Sequence, residues 1–187
     1  MPDYNNRFKK VIKVSILLYI LCLIWGLYFK FGNISIIKYN YNILNSMTLK
    51  ERFMYDIIPF KYAFVDDFRS IDFWLNGIVF IPLGILLCAY DKEVKILKHV
   101  LICFTISLTL EIVQLFTKIG GFATDDLIMN TLGYFLGLPI YIFLIKRIKL
   151  KWQYYICMII NIIMTVVLLI AAINMLVNIN QIIDIFH

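Results

Sequence analysis

Five long apolar runs constrain this chain more than any motif does. A helix crossing a hydrocarbon layer of about 30 Å needs about 20 mostly apolar residues. Val11–Phe31, Phe73–Tyr90, Ile96–Lys118, Asp126–Ile145 and Gln153–Val177 are runs of that kind. The fold expected is all-α, an integral membrane helical bundle of about five transmembrane helices, forming one domain over residues 1–187. Composition agrees: 62% of the residues are hydrophobic and 16% charged, against about half and a quarter in a soluble domain. That balance excludes a disordered chain, a secreted disulfide scaffold and an ordinary cytosolic enzyme. Cys22, Cys88, Cys103 and Cys157 all lie inside apolar runs without a CxxC pair, so they read as small buried hydrophobes.

The first run follows basic residues, as a signal peptide would. It is too long for a signal core, and no small-residue cleavage site follows, so it reads as a helix. Positive charge then sets orientation. With the N-terminus cytoplasmic and the C-terminus outside, the inner segments carry a net charge of +8 and the outer segments −1. The basic residues flank apolar runs, including Lys146–Lys151, which suits topology and anionic lipid rather than a nucleic-acid partner. Trp152, Tyr154 and Tyr155 suit an aromatic belt at the inner interface.

The segment between the first two runs, residues 32–72, is rich in Ile, Tyr and Phe. Thr48-x-x-Glu51 has the pattern of a capping box, opening a short helix that Pro59 would end. Arg52, Phe53, Met54, Tyr55, Ile57 and Ile58 then lie either on the outer membrane surface or in a packed lid.

Polar residues inside the runs carry the functional argument, because a charge at bilayer depth is costly and turns inward. Ser107, Glu111, Gln114 and Lys118 are spaced by 4, 3 and 4 residues, which places them on one helix face. Asp126, Asn130, Gly133 and Gly137 repeat that spacing in the next run, with Asp125 and Asp126 at the helix start. Gly133 and Gly137 form a GxxxG, which admits a close neighbour helix. The second run adds Asn76 near its outer end, with Pro82 and Gly84 at mid-depth, where the proline frees a carbonyl. Asn76, Glu111, Gln114, Asp125, Asp126 and Asn130 either line one outward-facing pocket or bond to one another and hold the bundle together. An acidic Glu111 facing a second polar helix favours the pocket. Asn161 and Asn174 in the fifth run are expected to bond across helices, and His99 at an inner helix end is read as having no catalytic role.

Four stretches together resemble the VanZ-like family of bacterial membrane proteins. They are Trp25 to Lys30; Asn76 to Gly84; Glu111-Ile-Val-Gln114; and Asp126 to Gly133, followed by Gly137. The resemblance covers roughly Val11 to Ile145, leaving 153–177 as an additional C-terminal span. It implies a multi-pass protein of the bacterial cell membrane associated with resistance to teicoplanin and related lipoglycopeptides. Many members carry an Arg and a further Asp ahead of the Asp-Asp pair. Here Gly120, Gly121, Phe122, Ala123 and Thr124 stand there, leaving Arg69, Lys30 and Lys118 as the cations near the outer face.

The reading preferred is a non-enzymatic resistance factor, with membrane lipids as surroundings and a lipid-linked envelope molecule or the lipoglycopeptide as ligand. The alternative is an intramembrane enzyme acting on a lipid-linked wall precursor or surface polymer, with Glu111 as base and Asp125 and Asp126 on a divalent cation. No nucleophile–His pair or HExxH supports it. A transporter subunit is the third, weakened by an odd span count and no internal repeat. No cofactor or metal is expected, and the oligomeric state stays open.

Overall fold

The apolar runs become helices. The computed structural model describes residues 2–28, 34–61, 67–91, 94–180 and 183, with the side chains of 2–5, 27, 28, 35, 36 and 67–70 outside the description. The elements are α1 (Pro2–Leu23), a π-helical turn (Ile24–Tyr28), α2 (Ile34–Asn45), α3 (Leu49–Met54), α4 (Asp67–Asp91), α5 (Ile96–Thr117), α6 (Thr124–Phe143), a 3-10 turn (Ile145–Arg147) and α7 (Leu150–Val177). Ile71–Asp91, Ile96–Thr117, Thr124–Arg147 and Leu150–Val177 are long and apolar enough to cross a membrane. They coincide with the last four expected spans. The first expected span, Val11–Phe31, is helical over residues 11–28 but divided, α-helix to Leu23 and then the π turn, and residues 29–31 lie outside the described residues; α1 starts earlier and carries Arg7, Lys9 and Lys10 ahead of Lys13.

The long helices α1, α4, α5 and α6 alternate in direction. Tyr19 meets Val79 and Lys13 stands over Tyr90, so α1 and α4 are antiparallel. Ser107 meets Asn130 and Glu111 meets Ala123, so α5 and α6 are antiparallel. Gly77 lies against Gly133 and Gly84 against Gly137, so α4 and α6 run parallel, joined through α5. α7 packs on α1 at the edge of the bundle.

Glycine sets the closest pairing, α4 against α6. A Cβ on Gly133 would run into the Gly77 carbonyl and the Phe80 side chain. A Cβ on Gly137 would run into the Ile81 carbonyl, and one on Gly84 would come within 2.9 Å of the Tyr134 carbonyl. Small residues permit backbone-to-backbone approach where apolar surroundings give no hydrophobic drive. Phe80, Leu83, Cys88, Cys103 and Tyr134 fill the space beside this seam as the buried core.

α4 runs through Pro82 as a helix. Tyr19 Oη donates to the Val79 carbonyl at 2.7 Å, three residues before the proline. A side chain from α1 thus serves the stretch of backbone that the proline weakens.

Asn161 and Asn174 differ from expectation. Asn174 bonds within its own helix end, its Oδ1 accepting from Asn178 Nδ2 at 3.3 Å. Asn161 is buried, yet its Oδ1 has no donor among the described residues.

Candidate functional site

One end of α4, α5 and α6 gathers polar side chains from all three helices. Their burial follows from spacing: Ser107, Glu111 and Gln114 on one face of α5 are all buried, with Glu111 3% exposed. Glu111 Oε2 accepts the Ala123 N–H at 2.8 Å, at the start of α6. Asn76 Nδ2 of α4 donates to Asp126 Oδ1 at 2.6 Å, and Asn130 Nδ2 donates to Ser107 Oγ at 2.8 Å. Asn76 and Asn130 are each 2% exposed. The Gln114 side chain tucks beneath Gly120, whose added Cβ would lie 3.1 Å from Oε1.

Two expected members sit apart. Asp125 turns away from Asp126 and accepts the Phe60 N–H at 2.7 Å, so the two aspartates serve different partners. Lys118 leaves the α5 face because the helix ends at Thr117. Lys118 closes it with φ 63° and donates to Asn45 of α2. Lys30 and the side chain of Arg69 lie outside the described residues. Pro82, Gly84, Gly133 and Gly137 are not polar contributors; the three glycines hold the α4–α6 seam that brings Asn76 beside Asp126.

The segment between α1 and α4 covers this end. Thr48 caps α3, with its side chain taking the Glu51 N–H and Glu51 returning to the Thr48 N–H at 2.7 Å. These bonds from Thr48 hold the Glu51 carboxyl below the usual glutamate range. The chain after α3 then packs on the α5–α6 turn. Asp56 bridges to Ala123, Phe53 lies against Phe122 at 5.0 Å, and Thr124 Oγ1 donates to the Ile57 carbonyl at 2.8 Å. These contacts pack the segment against the α5–α6 turn as a lid, while Phe53, Met54 and Ile58 stay exposed on its outer side.

Arg52 is the residue the sequence did not single out. It is buried at 7% exposure and donates from a guanidinium nitrogen to the Leu115 carbonyl at 2.7 Å, one helical turn from Glu111. Its Nε has no acceptor among the described residues. The capping box was the available signal, since it fixes which α3 side chains face the bundle.

The opposite end of the same helices holds a second polar group. His99 is 1% exposed, and its Nε2 meets Asp91 Oδ2 at 2.9 Å, which also takes Lys98 at 2.7 Å. A carboxylate only accepts, so Nε2 carries the hydrogen. Tyr134 Oη and Cys88 Sγ approach Nδ1 at 3.5 and 3.7 Å. His99 thus ties α4, α5 and α6 together.

Membrane-length helices with a buried carboxylate and buried amides at one end define a helical bundle of membrane-protein type. The chain belongs to the VanZ/LLP1 family, which it matches over residues 16–150. It is 33% identical to Protein VanZ of Enterococcus faecium over 162 residues, covering 86% of this chain and 92% of that protein. No solved structure matches it. The family match includes both polar ends and stops where α7 begins.

Proposed function

We propose that this is a multi-pass protein of the bacterial cell membrane that acts in resistance to teicoplanin-type lipoglycopeptides without catalysing a reaction. Its ligand is a lipid-linked envelope molecule or the lipoglycopeptide itself, taken at the outward-facing end around Glu111. The carrying observation is the burial of Asn76, Glu111, Gln114 and Asn130 at one end of three helices, with Asp126 bonded to Asn76. Carboxyl and amide groups are costly in apolar surroundings, and a polar ligand is a reason to keep them there. Support for the orientation comes from the alternating directions of α1, α4, α5 and α6 and from the basic balance of the N-terminal side.

The test is expression in a susceptible host with growth scored against teicoplanin. Glu111→Gln and Asp126→Asn should each return growth to the vector level while the protein still accumulates. Wild-type growth with Glu111→Gln would refute the pocket. The wall-precursor pool, followed by mass spectrometry, should be chemically unchanged on expression; a new covalent species would give the enzyme reading instead. Single-cysteine variants near Thr124 should label from outside intact cells, and those near Lys149 should not.

A further inference from the structure

A cleft runs along the outside of the bundle between α1 and α7, with a volume of about 430 Å³. Val14 and Leu18 of α1 and Ile162 and Val166 of α7 form its walls, and Lys10 stands at its N-terminal mouth. From Lys10 to Leu18 the cleft extends ~12 Å along the helix. Among the described residues, no acidic side chain lines it. Met158 lines the cleft on the α7 side, and the aromatic pair Trp152 and Tyr155 lies one to two helical turns before it on α7.

We propose that this cleft binds one anionic phospholipid of the leaflet nearest the N-terminus. One acyl chain lies between α1 and α7, and the phosphate meets the Lys10 ammonium. The lysine stem is long enough to reach from an apolar wall to a headgroup. Charge decides the occupant. Exposed Lys10 makes this mouth cationic, while Lys13 stands over Tyr90 of α4. A second copy docked in the same cleft would bring a second like charge to it. An anionic headgroup neutralises the mouth, and an acyl chain matches the apolar walls.

The test uses the full-length protein in detergent, with dioleoyl-phosphatidylglycerol and dioleoyl-phosphatidylcholine offered together and bound lipid counted by native mass spectrometry. Phosphatidylglycerol should be retained about five-fold over phosphatidylcholine, the ratio that one cation near an anionic headgroup supports. Lys10→Gln should bring the ratio to about one with the acyl chain still bound. Val14→Trp, which fills the cleft from an exposed position, should reduce retention of both lipids. Equal retention by the wild type, or a preference that survives both substitutions, overturns the proposal. So does an efficient disulfide-linked dimer from Val14→Cys paired with Ile162→Cys in native membranes. That dimer would mean a second copy occupies the cleft, its own Asn161 amide meeting the donorless Asn161 Oδ1.

Discussion

At one end of the α4–α5–α6 core, Asp91 and His99 share a short contact, with Tyr134 and Cys88 behind the ring. At the other, Glu111, Gln114, Asp126, Asn76 and Asn130 spread over the same three helices beneath a lid. The histidine end is closed: both ring nitrogens face side chains, and the surroundings are the apolar core. The acidic end has polar capacity to spare, since Asn130 Oδ1 and Arg52 Nε have no partner among the described residues. Buried polar atoms without partners each cost about 1–3 kcal/mol, so a purely structural cluster would have little reason to keep them. Under the proposed function, one end is a clamp and the other the place where a ligand binds.

The most disruptive way to probe this contrast is to damage the seam that serves both ends. Gly137→Leu places a side chain against the Ile81 carbonyl, and backbone gives way less readily than a side chain tip. The expected loss is at or above the top of the ~1–3 kcal/mol range for overpacking, with a sharply reduced protein level. Leu136→Ala, at a position 54% exposed, is the matched control and should change thermal stability by under about 1 kcal/mol. Normal expression and melting of Gly137→Leu would show that α4 and α6 do not meet through their glycines.

The next probe should separate the ends. His99→Ala removes the tie among three helices and strips Asp91 and Tyr134 of a partner. A loss of about 2 kcal/mol is expected, read as a lower melting temperature in detergent. Teicoplanin resistance should fall only in proportion to protein level. That outcome is the reverse of the clean loss of function expected for Glu111→Gln. If His99→Ala abolishes resistance at an undiminished protein level, the clamp assignment fails and the two ends have exchanged roles.

Helix existence and the polar faces were legible because both follow from spacing. Ser107, Glu111 and Gln114 share a buried face at the offsets the sequence shows, and Gly133 and Gly137 meet α4 as a GxxxG suggests. What sequence missed depends on chain reversal and on long-range partners. Lys118 keeps the helical offset but leaves the face, because α5 stops one residue earlier. Helix α2 lies in a stretch read only as an apolar loop, held by Asn40 to the Ile119 carbonyl, 79 residues away. His99 looked isolated because Cys88 and Tyr134 reach it only through helix packing. Arg52 belongs to a segment whose placement the sequence leaves open, since local pattern does not reveal that its guanidinium reaches back to α5.

The smallest effect tests the lid alone, and it should touch only the acidic end. α3 is six residues long and holds its start through the reciprocal Thr48–Glu51 bonds. Thr48→Ala removes the side-chain half of that cap, which is worth about 1 kcal/mol of helix stability. Low pH should act on the other half. The Glu51 carboxyl is held below its unfolded value, so its contribution is present above the ordinary glutamate range. That contribution fades as pH falls through the lowered folded value, because the protonated form no longer accepts the Thr48 N–H as strongly. Hydrogen exchange, corrected for intrinsic rates, should therefore rise in residues 49–56 on acidification and in Thr48→Ala at neutral pH. Acid also reaches the Asp91 carboxylate of the clamp, so the comparison is made in Thr48→Ala at neutral pH, where exchange across residues 100–104, toward the histidine end of α5, should stay level. A parallel rise in the two stretches would mean that the lid and the clamp open as one unit, and the contrast between the ends would then be one of composition without independence.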